Sequence, residues 1–158
     1  MKALSLNLMN ETIIREAQIT DCERVLELMQ ELAVFEGYIR KFRVDLSDLR
    51  QHLFEQHSIG VLVATVDKRI EGILVYFFQP FTYDLCPWLV IKELYVSSPH
   101  RSLGLGNRLL NHVKEVGVEN KCTKIKWEVL TENLEAQRFY YRNGAKLESD
   151  WRIMSIEI

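Results

Sequence analysis

The apolar residues change period several times along the chain, and each change marks an element. Thr12 to Ala17 (TIIREA) is a short β-rich stretch. Thr20 followed by Glu23 fits a capping box, and Val25, Leu28, Met29 and Leu32 then recur at helical spacing, so a helix is predicted to run to about Gly37. Leu46, Leu49, Leu53 and Phe54 form one stripe and predict a second helix from about Asp45 to Glu55. Ile59 to Val66 and Ile70 to Phe78 are two nearly continuous apolar runs around Asp67-Lys68-Arg69, which reads as a hairpin in the middle of a sheet. Trp88 to Val96 predicts a third strand of that sheet, Leu103 to Val118 a helix, and Ile125 to Leu130 another strand. Asn133 to Asn143 predicts a short helix closed by Gly144. The alternating apolar tail from Lys146 to Ile158 predicts one or two last strands. The order β-α-α-β-β-β-α-β-α-β is that of an α+β (mixed α/β) protein.

Neither a Gly/Ser-rich linker nor a repeat interrupts this order, so residues 12–158 are expected to form a single domain behind an N-terminal extension, residues 1–11. At 158 residues the chain can bury a core without disulfides or a metal. Its net charge of -2 gives no electrostatic reason to expect nucleic-acid or membrane-surface binding. No apolar run reaches the roughly 18 residues of a spanning helix, and the first dozen residues lack a signal-peptide pattern. Cys22, Cys86 and Cys122 are odd in number and widely spaced, which reads as free thiols in a reducing, cytoplasmic setting. None of the four histidines stands at metal-ligand spacing, so no metal is expected.

The chemistry is concentrated in Glu93 to Arg108, ELYVSSPHRSLGLGNR. A strand ends, a short loop follows, and Arg101-Ser102-Leu103-Gly104-Leu105-Gly106 opens a helix. Backbone N–H groups in a first helical turn lack internal partners and sit at the positive end of the dipole. Two glycines let a ligand approach that backbone, and Arg101 adds a charge, so the segment reads as a pyrophosphate cradle. A plain surface loop is the alternative. The segment is not a dinucleotide fingerprint, because Leu109 stands at the third glycine position, and no Gly-Lys-Ser/Thr follows as in a P-loop.

A second cluster, Asn133 to Ala145, follows the next strand. Here the sequence resembles the GCN5-related N-acetyltransferase superfamily. The pattern Arg/Gln-x-x-Gly-x-Gly/Ala is met by Arg101, Gly104 and Gly106; a later pattern is met by Asn133, Ala136, Phe139, Tyr140, Gly144 and Ala145. The resemblance implies a central twisted, mostly antiparallel mixed sheet of six to seven strands, flanked by about four helices. It implies acetyl-CoA as cosubstrate, with its pyrophosphate on the N–H groups of Ser102, Leu103, Gly104, Leu105, Gly106 and Asn107. The pantetheine would extend the strand at Leu94, Tyr95 and Val96, where an N–H would also hold the thioester oxygen. Asn133 and Arg142 would contact the cofactor. Glu31 to Glu36, Phe81 to Asp84, Phe139-Tyr140 and Trp151-Arg152 further resemble the diamine (spermidine/spermine-type) acetyltransferases.

By the same resemblance Tyr140 would protonate the departing thiolate, and a tyrosine's ordinary pKa of about 10 keeps its proton available. Its alternative is a core aromatic beside Phe139. Glu93 interrupts an apolar strand, so it is either paired or faces a cavity, where it could take the proton from an ammonium. Glu36 and Asp84 are candidate amine-binding carboxylates, or simply solvated. Trp151 either walls the acceptor site or covers the core or a dimer contact. His100, next to Arg101, could assist phosphate binding, though it reads rather as a solvated loop histidine. No His is placed to activate Cys86 or Cys122, which favours direct attack of an amine on the thioester. The expected activity is acetylation of a small polyamine-like or amino-acid-like primary amine. Acetylation of a peptide or protein amine, and a non-catalytic acyl-CoA binding module, are the alternatives. Exposed strand edges and the aromatic tail suggest a homodimer.

Overall fold

The computed structural model describes residues 11–158, so of the predicted N-terminal extension only Glu11 falls among the described residues. Two units are distinguished, one ending at Trp127 and the other running from Glu128 to Ile158. The first holds β1 (Thr12–Glu16), α1 (Cys22–Phe35), α2 (Leu46–Arg50), β2 (Gly60–Val66), β3 (Arg69–Pro80), β4 (Pro87–Val96), α3 (Leu105–Glu119) and β5 (Lys124–Trp127). The second holds α4 (Leu134–Arg142).

The strands lie in the order β1-β2-β3-β4-β5. The first three pairings are antiparallel and the last, β4 with β5, is parallel. The mixed α/β architecture and the four helices match expectation, but the sheet of the described residues has five strands, not six to seven. The deficit lies in the tail. Residues 145–158 form no regular structure, and Trp151, Ile153, Met154 and Ile156 are all more than 70% exposed. The apolar alternation is present there, yet alternation makes a strand only when a neighbour supplies the ladder.

Local chemistry sets the remaining boundaries. α1 begins at Cys22, not at a Thr20/Glu23 box, because a short 3₁₀ turn over Ile19–Asp21 precedes it. Asp21 anchors that turn by accepting from the Gln18 N–H at 2.7 Å and from Arg15 at 2.6 and 3.1 Å. Asp45 caps α2 by accepting from the Asp48 N–H at 2.8 Å. The predicted second helix does reach Glu55, but its last turn, Gln51–Glu55, is a π-helix. Asp67 and Lys68 both adopt positive φ, which is the two-residue turn that matches the twist of a hairpin.

The sheet is covered on both faces. Val25, Leu28 and Leu32 of α1 and Leu49 of α2 pack with Val61, Val63, Ile73, Val75 and Tyr95 in one core cluster. Leu109, Leu110 and Val113 of α3 are buried too. A Cβ placed on Gly72 would sit 3.2 Å from Leu109 Cδ1, so α3 crosses the other face at close range. No described helix is long and apolar enough to cross a membrane.

Two features of β4 position the site. Its pairing with β3 shifts register, Val75 opposite Glu93 but Tyr76 opposite Ile91, so Lys92 is the extra residue of a β-bulge. Its pairing with β5 runs only from Trp88–Lys124 to Ile91–Trp127. Beyond Ile91, among the described residues, β4 continues through Val96 in pairing with β3 alone. The predicted strand Ile125–Leu130 is therefore cut at Trp127, where the bulge takes β4 out of register with a straight parallel neighbour.

Candidate active site

Leu94, Tyr95 and Val96 lie on the stretch of β4 that β5 does not cover, paired on their other side with Leu74, Ile73 and Gly72. The chain then turns through Ser98–His100 and the loop Arg101–Gly104 into α3. Ser102 (φ 67°) and Gly104 (φ 78°) both adopt left-handed backbone. Gly104 is the N-cap residue and has no side chain with which to cap the helix, and no acidic residue lies in its first turn. A Cβ on Gly104 would meet nothing within 4 Å, so the backbone is open at the residue from which the 15-residue helix starts.

Below this loop lies a polar network that the sequence did not suggest. Glu71 of β3 is buried, and its Oε2 accepts from Ser97 Oγ at 2.6 Å. His100 Nδ1 lies 3.0 Å from the same hydroxyl and 3.4 Å from Glu71 Oε2. Arg24 of α1 approaches Glu71 Oε2 at 3.4 Å, and Arg69 approaches Oε1 at 3.4 Å. The Ser97 N–H also donates to the Glu71 carbonyl at 2.8 Å. His100 is thus not a simply solvated loop residue. The first residues after β4 are tied to the sheet, which fixes where the loop begins. Arg101 folds back in the same direction: its Nε donates to the Val96 carbonyl at 3.1 Å, and its guanidinium lies 5.0 Å from the Phe35 ring and 5.4 Å from the Tyr95 ring.

Glu93 faces the α1 side of β4 and lines a cavity of about 180 Å³. Met29, Leu32 and Ala33 of α1 give that cavity an apolar wall, and Glu36, just past the end of α1, stands on it as well. Tyr38, Lys41 and Phe42 complete it. Glu93 Oε2 is buried and has no hydrogen-bond partner. Burial, followed by the nearby Glu36 charge, pushes the Glu93 carboxyl up to about 7, with Lys92 pulling slightly the other way. Desolvation raises Glu36 as well. The structure thus brings Glu93 and Glu36 to one cavity and places Glu93 in its cavity-facing alternative. It does not bring Asp84 there: that carboxylate lies in the turn between β3 and β4 and accepts from the Cys86 N–H at 2.9 Å.

In the second unit, Asn133 caps α4 by accepting from the Ala136 N–H at 3.1 Å. Tyr140 is half-buried, its ring edge-on to Phe139 at 5.1 Å, and Arg142 is exposed at the helix end. Gly144 takes positive φ just after the helix, as its predicted C-terminal role requires. Trp151 is 80% exposed. Among the described residues, no group of three His, Cys, Asp or Glu side chains is placed to hold a metal.

Tyr38, Lys41 and Phe42 were missed because they follow Gly37 in a stretch with no apolar period; only the run of basic residues Arg40-Lys41 hinted at anything there. The Glu71 network was missed because a lone acid in a strand names no partner.

The model of the Acetyltransferase (GNAT) family matches residues 21–145. The bovine (Bos taurus) thialysine N-epsilon-acetyltransferase is 25% identical over 142 residues, covering 85% of this chain and 84% of that protein. The human (Homo sapiens) spermidine/spermine N(1)-acetyltransferase-like protein 1 is 26% identical over 155 residues, covering 89% of this chain but 22% of that longer protein. Among solved structures, an aminoglycoside acetyltransferase from an uncultured soil metagenomic sample superposes with a TM-score of 0.79 at 20% identity, over 93% of this chain and 96% of that one, which shows the shared fold. Because the family match takes in more than half of the chain, the protein belongs to the acetyltransferase (GNAT) family and is an acyltransferase.

Proposed function

We propose that the protein transfers an acetyl group from acetyl-CoA to a small primary amine by direct attack. The observation that carries this reading is the run of β4 past the end of β5, leading through a short loop to the glycine that starts α3. The open backbone of Leu94, Tyr95 and Val96 offers hydrogen bonds to an extended amide-bearing arm, and one of these N–H groups polarises the thioester carbonyl. The backbone from Ser102 to Asn107 receives the pyrophosphate, with the Arg101 charge at the base of the loop. Asn133 and Arg142 are carried forward from the family pattern as further cofactor contacts.

Glu93 is the general base of this reading. A carboxyl held at about 7 can strip the proton from an ammonium near neutral pH, and its unpaired Oε2 has acceptor capacity to spare. Glu36 holds the cation at the cavity. The freed amine attacks the thioester carbon, the C–N bond forms, the nitrogen gives up its second proton to solvent, and the C–S bond breaks. Tyr140, carried forward from the family pattern, returns a proton to the departing sulfur. Asp84 and Trp151 remain proposed acceptor contacts, though their surroundings lend them less support than those of Glu36.

The relatives named for thialysine and for spermidine/spermine support a terminal amine on a short chain as acceptor. The family match runs across both units, which supports treating residues 12–158 as one acetyltransferase domain. Three free cysteines fit a cytoplasmic setting, and the exposed Trp151 and Ile153 supply apolar surface for a homodimer. The test is thiol release from acetyl-CoA across a panel of amines, with calorimetry of acetyl-CoA binding alongside. Release with small diamines or diamino acids is expected. Tight binding without release for any amine points to a binding module, and no binding at all removes the reading.

A further inference from the structure

The cavity at Glu93 carries both signs of charge. Glu36 and Glu93 share it with Lys41. A 3₁₀ turn over Ile39–Lys41 delivers this lysine, fixed by the Tyr38 N–H donating to the Ala33 carbonyl at 2.7 Å and the Lys41 N–H donating to the Tyr38 carbonyl at 2.8 Å. The Lys41 ammonium lies 5.4 Å from the centre of the Tyr38 ring, so the head rests on another lining residue. Among the described residues Lys41 makes no ion pair, although Glu36 lines the same cavity.

A polyamine suits the two carboxylates but sets a second or third ammonium against Lys41, a like-charge contact that selects against it. A diamino acid suits all three groups. Its terminal amine meets Glu93, its α-ammonium meets Glu36, and its carboxylate meets Lys41. A cavity of about 180 Å³ is scaled to such a compact molecule. We infer that Lys41 is a specificity-determining residue that reads a carboxylate on the acceptor, so that this site selects short diamino acids over diamines and polyamines of the same chain length. The inference rests on the acetyl-transfer reading above and deepens it.

Matched pairs test it. L-lysine and cadaverine share a carbon chain and differ by the carboxylate, as do L-ornithine and putrescine. With the full chain and acetyl-CoA, the wild type favours the amino acid of each pair. Lys41→Ala lowers kcat/KM for the amino acids by about tenfold, mainly through KM, and raises it a few-fold for the diamines. Lys41→Arg restores most of the preference, and added salt weakens it in the wild type. A general folding defect would lower both members of a pair together and leave their ratio alone. An unchanged ratio in Lys41→Ala, or a wild type that prefers the diamine, overturns the inference while leaving acetyl transfer standing. Thiol release with none of the four amines overturns the inference together with the reading beneath it.

Discussion

Glu93→Gln keeps the shape of the cavity wall and removes its titration, which makes stability against pH a direct probe of the site. The folded protein holds this carboxyl at about 7, against an ordinary 4.5. Between those values the folded chain binds a proton that the unfolded chain has lost, so the wild type loses stability as pH rises through that window. Below it the carboxyl is neutral in both states and the penalty vanishes; above it the penalty is complete. Spanning that interval at about 1.4 kcal/mol per pH unit gives a ceiling of roughly 3 kcal/mol, which residual solvent access reduces. Urea unfolding of both proteins at several pH values measures it. Glu93→Gln should match the wild type within a few tenths near pH ~4 and exceed it by roughly 2–3 kcal/mol near pH ~8. The activity arm runs the opposite way: the variant should lose about 10²-fold or more in kcat/KM and flatten the acidic limb expected of the wild type near pH ~7. A stability difference that is the same at both pH values would refute the buried, raised carboxyl. A preserved acidic limb would remove Glu93 as base.

Tyr140→Phe should lower kcat by about 10²-fold with little change in KM for acetyl-CoA, and an unchanged kcat dismisses the tyrosine from the reaction. Ser102→Gly should stabilise the protein by roughly 1 kcal/mol, because the serine holds a left-handed φ of 67° that glycine adopts freely, and thermal unfolding checks this. Glu71→Gln should cost roughly 2 kcal/mol through weakened charge-assisted hydrogen bonds, and it should raise KM for acetyl-CoA more than it lowers kcat. A lowered kcat with KM untouched would show that the Glu71 network does not set the loop.

Where a segment carries its own signal, the sequence was informative. Two dense apolar runs around Asp67-Lys68 became β2 and β3, the Asp45 start of α2 is a real cap, and Glu93 stood out as an acid in an apolar strand. Where structure depends on a distant partner, it was not. The bulge at Lys92 is visible only once β4 is laid against β3, and the early end of β5 follows from it. The tail shows the reverse failure: Met154, Ile156 and Ile158 have strand-like spacing without a strand. The Arg101 side chain was read as a free charge at the phosphate loop, whereas its contacts with Phe35, Tyr95 and the Val96 carbonyl lie outside any local pattern.

The single extra residue in β4 also has a counting consequence. Side chains on a pleated strand alternate, and across this pair Ile91 shares a face with Tyr76 whereas Glu93 shares the opposite face with Val75. Two positions apart, they would point the same way on a regular strand. Lys92 therefore acts as a parity switch: pairing it regularly with β3 would turn Glu93 toward the α3 side of the sheet, whereas deleting it would leave Glu93 opposite Val75 in an unbroken ladder.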